Sequence, residues 1–196
     1  MSPGPQKQFD RAQALERALE VFWKQGFEAT GMADLTREMG IGRQSLYDTF
    51  GGKKQLFHEA LNAYFCGVMG PVIAQLHAPG SALENMRKVL GIWHQRLETM
   101  GERGCMVGNA TAQMDPSDTE LAKCLNQYFG TLEDAFTKAF EKAREQKEIR
   151  DDVDPRVAAR LVLHTGQGLV LLHKLRPDPA NAQKVMESVF QLIQRD

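Results

Sequence analysis

A cluster of polar side chains near the amino terminus has the chemistry needed to hydrogen-bond the edges of DNA bases. Glutamine pairs with adenine through two hydrogen bonds, a carboxylate accepts from the amino group of cytosine, and arginine recognises guanine. Arg43, Gln44, Ser45 and Asp48 supply such groups close together in the chain. Tyr47 adds a hydroxyl group suited to a phosphate oxygen. These residue types predict a surface that reads bases and holds phosphates.

Two short helices would have to position these side chains. The sequence predicts helices over Met32–Met39 and Arg43–Phe50, joined by the tight connection Gly40-Ile41-Gly42. Two short helices joined by a glycine-containing turn form the helix-turn-helix unit, which places its second helix in the major groove of DNA.

The helical wheel of the second helix separates an apolar side from a polar side. Leu46 and Phe50 face inward, and the opposite face is shared by Gln44, Ser45, Asp48 and Thr49. The same wheel also fits an ordinary two-helix corner whose polar face is merely solvated. The wheel alone does not choose between these interpretations.

A particular order of residues continues through the corner and beyond it. After a helix that ends in Gly26-Phe27 come, in order, Gly40, Ser45, Leu46, Tyr47, Phe50, Lys53 and Leu56. This order resembles the TetR family of one-component bacterial repressors. The specific resemblance covers about Phe9 to Phe57, whereas the remainder is similar only as an all-helical chain of suitable length.

The resemblance implies roles for individual residues. In the family, the positions of Arg43, Gln44, Ser45 and Asp48 usually read bases, and those of Thr30, Tyr47, Thr49 and Lys53 usually hold phosphates. A hydroxyl residue is common in the family where this chain has Gly31 and Gly42. One phosphate contact and one helix cap are therefore expected to be missing.

The composition is that of an ordinary globular protein, with 196 residues of which 42% are apolar and 25% charged. The formal net charge is -1, and eight basic residues stand against seven acidic ones through Lys54. Binding to DNA would therefore depend on individually placed donors rather than on a strong general field, and non-specific binding should be weak.

Cysteine usage and hydropathy predict a cytoplasmic protein with no membrane partner. Cys66, Cys105 and Cys124 are widely spaced and form no C-x-x-C pair, which fits a reducing compartment. There is no apolar run of about 18 residues, and the start of the sequence, MSPGPQKQFD, lacks the apolar core of a secretory signal. Met1–Gln8 is expected to be a mobile arm.

The periodicity predicts an all-α fold of about nine helices. The resemblance implies a three-helix DNA-binding domain at 1–54 and a ligand-binding and dimerisation domain at 55–196. Asp10 should cap the first helix and Gly26 should end it. A long helix should begin near Lys53 and break or kink at Gly67, Gly70 and Pro71. Further helices are predicted over about 81–100, 105–114, from 116 onward, 155–175 and 179–194.

The last two predicted helices differ from the others because the first of them is apolar nearly all round. Gly166 and Gly168 would also let another helix approach closely. One interpretation is a central helix within a monomer. The preferred one, which the resemblance also implies, is a homodimer interface built by these two helices, which predicts a palindromic double-stranded operator.

The middle helices carry many large apolar and aromatic side chains with a few polar ones, as a small-molecule pocket requires. The family resemblance implies an effector site in this domain, and each residue is also suited to plain core packing. The predicted lining residues are Phe65, Met69, Trp93, Leu97, Cys105, Asn109, Gln113, Phe129, Phe136, His164 and Gln167.

Cys105 is a candidate sensor of electrophiles or oxidants. It follows Arg103-Gly104 at a predicted helix start, where the dipole and the guanidinium would stabilise a thiolate. The alternative is a small buried hydrophobic residue, which is the interpretation we adopt for Cys66 and Cys124 inside apolar helical faces.

No catalytic or metal-binding constellation is recognisable. The five histidines form no H-x-x-x-H or H-E-x-x-H motif, and Ser45 lies next to no candidate base. The sequence thus predicts neither an enzyme nor a cofactor. It predicts a homodimeric transcriptional repressor that a small molecule or electrophile releases from DNA. The alternative is a helical ligand-binding or structural protein that does not bind DNA.

Overall fold

The computed structural model describes residues 9–195, and that part of the chain folds into nine α-helices without a β-sheet. The helices are α1 Arg11–Ala29, α2 Met32–Met39, α3 Arg43–Phe50, α4 Lys53–Leu76, α5 Ala82–Met100, α6 Met106–Gln113, α7 Thr119–Glu145, α8 Pro155–His173 and α9 Pro179–Ile193. A short 3-10 turn, Gly101–Arg103, separates α5 from α6. The all-α prediction is confirmed, and the predicted arm Met1–Gln8 lies outside the described residues.

Local capping explains where α1 begins and bends. The carboxylate of Asp10 accepts hydrogen bonds from the amides of Ala12 and Gln13 at 2.8 and 3.1 Å. Gly26 then adopts φ 79° and ψ 175°, a conformation that favours glycine and interrupts the helix before its last turn. The predicted end at Gly26 is therefore a kink, and α1 continues to Ala29.

The chain forms two compact units, which divide between Cys66 and Gly67. This boundary lies further along the chain than the one predicted after Lys54, because the first part of α4 belongs to the core of the amino-terminal unit. The ring of Phe57 lies 5.0 Å, centroid to centroid, from both Phe22 and Phe27. Leu56 and Leu61 are fully buried.

Of the break or kink predicted at Gly67, Gly70 and Pro71, the break is wrong, because α4 runs continuously from Lys53 to Leu76 with Pro71 inside it. Pro71 has no N–H and cannot donate to the carbonyl of Gly67, four residues earlier. Nη2 of Arg96 donates to that carbonyl at 3.2 Å. A side chain from α5 thus replaces the donor that the helix lacks.

The carboxy-terminal unit is a helical core in which α7 packs along α8, while α5 contacts both α7 and α9. Phe136, Phe140 and Phe190 are fully buried there. The turn that follows α7 also caps the start of α5, since Glu148 Oε2 and Gln146 Oε1 accept from the amides of Leu83 and Ala82, each at 2.9 Å.

α8 is buried on one side only, which disagrees with a central helix of a monomer. Ala158 and Val162 lie in the core, whereas Leu171 and Leu172 are 64% and 60% exposed. Of the two glycines expected at a close helix approach, Gly166 faces its own chain, since an added Cβ would lie 3.3 Å from the Trp93 ring. Gly168 faces open space.

Candidate nucleic-acid interface and ligand cavity

The turn between α2 and α3 depends on glycine at position 40. Gly40 adopts φ 69°, in the left-handed region, and an added Cβ would lie 3.3 Å from Arg17 Nη1. The turn buries Ile41, and α3 contributes Leu46 and Phe50 to the core. The opposite side of α3 is therefore held in a defined orientation by packing underneath it.

The exposed side of α3 carries the predicted base readers. Arg43, Gln44 and Asp48 are exposed, and Ser45 is half-buried. Nε2 of Gln44 donates to Oδ1 of Asp48 at 2.8 Å, one helical turn along. These two side chains form a preorganised pair, so contact with bases must either use the pair or exchange this hydrogen bond for one to DNA.

Tyr47 is held from two sides beside that face. The guanidinium carbon of Arg43 lies 5.9 Å from the centre of the Tyr47 ring, within the range of a cation–π contact. On the other side, the ring lies close to the backbone of Gly52. A Cβ added at position 52 would be 3.4 Å from a carbon of the Tyr47 ring. Tyr47 remains 43% exposed, as a phosphate contact requires.

The other residues expected to hold phosphates differ in accessibility. Nζ of Lys53, in the first turn of α4, lies 4.4 Å from the centre of the Phe27 ring. Thr49 is half-buried. Thr30 is only 1% exposed, and its hydroxyl donates to the carbonyl of Gly26 at 2.6 Å. This burial disfavours a phosphate contact by the Thr30 side chain, which instead stabilises the end of α1.

Gly31 and Gly42, the two glycines that stand where the family commonly has a hydroxyl residue, lie at the starts of α2 and α3. Gly42 caps α3 without any side-chain hydrogen bond, as predicted. At α2, the amide of Gly31 donates to Oδ2 of Asp34 at 3.4 Å, a weak contact. The first-turn amides of α3 lack an intrahelical partner and a side-chain cap, so they are available to an anion.

The carboxy-terminal unit contains a mostly apolar inner cavity of about 80 Å³. Five of the predicted ligand residues line it: Met69, Trp93, Leu97, Cys105 and Gln167. The remaining lining comes from α4, α5, α7, α8 and α9, and includes Val68, Leu90, His94, Arg96, Met100, Leu132, Leu163, Gly166, Leu169, Val170, Ala182, Gln183 and Met186. Sequence reasoning missed these, although His94 lies between two predicted lining residues of α5.

A second, outer hollow of about 340 Å³ adjoins the inner cavity, since Cys105, Gln167 and Val170 line both. The predicted residues Asn109 and Phe129 lie here. Asn109 is held at both ends of its amide, because Nδ2 donates to the carbonyl of Arg103 at 2.7 Å and Oδ1 accepts from Lys174 Nζ at 3.3 Å.

Four predicted ligand residues line neither of these two cavities. Phe136 is fully buried core, with its ring 5.6 Å from that of Trp93. Gln113 and His164 are exposed, and Phe65 belongs to the amino-terminal unit. Periodicity placed these side chains on the correct helices but could not show which neighbour each one meets.

Cys105 occupies the junction between the two cavities. It is the N-cap of α6, is 9% exposed, and its Sγ accepts from the amide of Gly108 at 3.4 Å. The prediction that Cys66 packs inside an apolar face is wrong, because Cys66 is exposed and its sulfur lies 3.9 Å from Asn62 Oδ1. Cys124 is half-buried.

Residues 9–195 contain neither a cluster of metal-ligating side chains nor a helix suited to span a membrane. No group of three or more histidine, cysteine or acidic side chains comes together there as metal ligands. Within the same range, none of the helices combines the length and the apolar character that crossing a membrane requires.

Comparison with known proteins agrees with the geometry of both units. Residues 14–60 match the family described as bacterial regulatory proteins, tetR family. Residues 82–189 match a tetracyclin repressor-like C-terminal domain. Together these two matches cover the helix-turn-helix and most of the unit that contains the cavities.

Individual relatives extend over nearly the whole chain. The uncharacterized HTH-type transcriptional regulator YezE of Bacillus subtilis is 36% identical over 178 residues, which span 89% of this chain and 91% of YezE. The repressor ComR of Escherichia coli is 28% identical over 158 residues, 79% of this chain and 72% of ComR. A solved structure of the TetR family regulator CifR, a cysteine mutant complexed with 26-bp double-strand operator DNA, is 27% identical with a TM-score of 0.83. The match covers 95% of this chain and 98% of the CifR chain. The chain belongs to the TetR family of bacterial transcriptional regulators.

Proposed function

We propose that this protein is a homodimeric repressor that binds a palindromic operator and releases it when a small molecule occupies the inner cavity. The observation that carries the proposal is the polar face of α3, which is exposed while Leu46 and Phe50 on its other side are buried. A short helix held in this way presents its side chains to the major groove.

The proposed contacts follow from the exposed groups. Gln44 and Asp48 read bases as a linked pair, with Arg43 and Ser45 beside them. Tyr47, Thr49 and Lys53 hold phosphates, and the uncapped amides at the start of α3 add further donors. The structure of CifR, a relative of the same fold, in complex with double-strand operator DNA supports operator binding as such.

A dimer is supported by the exposed apolar surface of α8 and α9. Val157, Leu161, Leu171, Leu172 and Leu192 are between 41% and 66% exposed. Exposed apolar side chains on two helices that pack together are costly in water and mark an interaction site. A two-fold pairing of these helices would give two recognition helices related by symmetry, hence a palindromic operator whose half-sites lie about one helical turn, or a multiple of it, apart.

We propose that ligand binding releases the protein from its operator through a movement of α4. Val68 and Met69 of α4 line the inner cavity, and Lys53 at the start of the same helix is a proposed phosphate contact. Arg96, another lining residue, bonds the carbonyl of Gly67. A ligand that moves α5 therefore acts on α4, and each tenfold weakening of operator binding requires only about 1.4 kcal/mol. Modification of Cys105 at the cavity junction would act on the same elements.

Selection of bound sequences from a random DNA pool tests the proposal. We expect a palindromic site, followed by loss of binding to that site in Tyr47→Ala and Lys53→Ala variants whose helical circular dichroism is unchanged. The alternative, a helical ligand-binding or structural protein that does not bind DNA, predicts no enriched sequence from the folded dimer.

A further inference from the structure

Two polar side chains on the exposed face of α3 are joined by a short hydrogen bond. Nε2 of Gln44 donates to Oδ1 of Asp48 at 2.8 Å. Both residues are exposed, so neither side chain is held in place by burial. The orientation of the Gln44 amide therefore depends on this hydrogen bond.

The charge of Asp48 decides which end of the Gln44 amide faces it. An amide group carries two hydrogens on its nitrogen and lone pairs on its oxygen, whereas an ionised carboxylate can only accept hydrogen bonds. Rotation of the amide by half a turn would bring Oε1 against the carboxylate, so that two acceptors would meet. Nε2 is thus held toward Asp48, and Oε1 is held away from it.

A glutamine held in this way suits adenine better than guanine. In the major groove adenine offers a donor at N6 and an acceptor at N7, whereas guanine offers acceptors at both O6 and N7. Oε1 of Gln44 can accept from N6 of adenine, and the second hydrogen of Nε2 remains to donate. Against guanine the same oxygen would meet an acceptor, and only a rotated amide would avoid that contact.

The positions of the two residues along α3 indicate different roles. Gln44 is the second residue of this eight-residue helix, and Asp48 lies one turn further on. The residues at the start of a recognition helix are those that contact base edges. A carboxylate is moreover repelled by the phosphates that flank the groove. Asp48 is therefore better suited to orient Gln44 than to contact a base.

We infer that Asp48 is a positioning residue, which acts through Gln44 and gives the protein a preference for adenine over guanine at one position of each half-site. The inference rests on the proposed function, in which both residues belong to the base-reading face, and it assigns the contact with the base to Gln44. Direct reading of cytosine by Asp48 would instead produce a preference at a second base pair, independent of Gln44.

The test starts from the operator obtained by selection. The base pair that Gln44 reads is the one at which Gln44→Ala lowers discrimination. Affinities for operators with adenine or guanine at this position are measured by fluorescence anisotropy at one salt concentration, and their ratio cancels the general electrostatic attraction that both operators share. In Asp48→Asn the preference for adenine should fall by about threefold to tenfold, because an asparagine can donate as well as accept and so tolerates either orientation of the Gln44 amide.

Two further variants separate positioning from other effects of Asp48. In a Gln44→Ala background, Asp48→Asn should leave the ratio unchanged, because the side chain through which it acts is absent. Glu38→Gln removes a negative charge from the exposed surface of α2, next to its ion-pair partner Arg37, and should also leave the ratio unchanged. The second variant shows that loss of a nearby charge is not sufficient to change the preference.

Three results would overturn the inference while leaving the repressor proposal intact. They are an unchanged ratio in Asp48→Asn, a loss of discrimination by Asp48→Asn that persists in the Gln44→Ala background, and no base pair at which Gln44→Ala lowers discrimination. Each is obtained with an enriched operator in hand. If no sequence is enriched by the folded protein, the repressor proposal itself fails, and the inference about Asp48 fails with it.

Discussion

The two proposed sites of this protein are assembled in different ways. The polar face of α3 lies within one eight-residue helix, next to the phosphate-holding candidates Tyr47 and Lys53. The inner cavity collects side chains from five helices, from Val68 in α4 to Met186 in α9. A substitution on the α3 face should therefore change recognition without changing the fold, whereas most substitutions around the cavity should change both.

The largest expected effect is a loss of stability from a substitution in the core of the carboxy-terminal unit, which contains the cavities. Phe136→Ala removes a fully buried ring that packs on Trp93, and should lower the free energy of unfolding by about 3–5 kcal/mol. Urea denaturation measures this loss of unfolding free energy. Phe129→Ala, half-buried on the same helix, is the matched control and should cost less. A loss from Phe136→Ala no greater than the control's would contradict this account of the core.

On the α3 face, Gln44→Ala should separate recognition from stability. It should reduce discrimination for adenine at one operator position by about 1–3 kcal/mol, measured by anisotropy with single-base operator variants. The free energy of unfolding should change by no more than about 0.5 kcal/mol, since Gln44 is exposed. Gln127→Ala, an exposed site on α7, should alter neither quantity. Equal weakening on every operator variant would show that Gln44 does not read a base.

The bond between α5 and α4 gives a smaller effect that is visible in a double-mutant cycle. Arg96→Met leaves the carbonyl of Gly67 without its donor and should destabilise the protein by about 1 kcal/mol or less, because the bond is exposed. In a Pro71→Ala background the helix regains an N–H at position 71 that can donate to the carbonyl of Gly67. Arg96→Met should therefore lower the free energy of unfolding by less in this background than in the wild type. Additive losses of unfolding free energy would contradict the replacement of the missing donor by Arg96.

The smallest expected effect is a pH dependence at the contact between α7 and α8. Hydrogen bonds from Arg156 at 2.7 Å and Arg160 at 3.2 Å hold the pKa of Glu133 below its ordinary value of 4.5. A lowered carboxyl pKa stabilises the folded state at pH above the ordinary value, and this stabilisation is lost as the pH falls through the folded-state pKa.

Glu133→Gln should therefore have a slightly lower melting temperature than the wild type at pH 7. The difference should disappear in strongly acidic buffer, where the wild-type carboxyl is protonated. A difference that persists unchanged at low pH would show that packing, rather than charge, accounts for the effect.

Much of the amino-terminal unit could be predicted from the sequence. The bounds of α2 and α3 agree with the prediction residue for residue. The reason is that the signals are local, with Gly40 in the left-handed region and buried side chains one turn apart. Thr30 is the exception, because its hydroxyl turns back to Gly26, which a resemblance between sequences does not reveal.

Prediction was weaker around the cavity because the deciding contacts lie far apart in the chain. Periodicity identified Trp93 and Leu97 but gave no indication that Ala182 and Met186 of α9 complete the wall. The apolar character of α8 predicted an interface, and Leu171 and Leu172 are exposed as that prediction requires. Gly166, expected at a close approach of another helix, instead faces Trp93 of the same chain.

The sequence by itself determined the helices, their caps and the order of residues by which this chain resembles its family, because each depends on neighbours within a turn or two. Only the tertiary structure decided which side chains enclose a cavity and that a proline could lie inside α4. These features depend on which helix faces which, and that is set by packing of the whole unit rather than by any single segment.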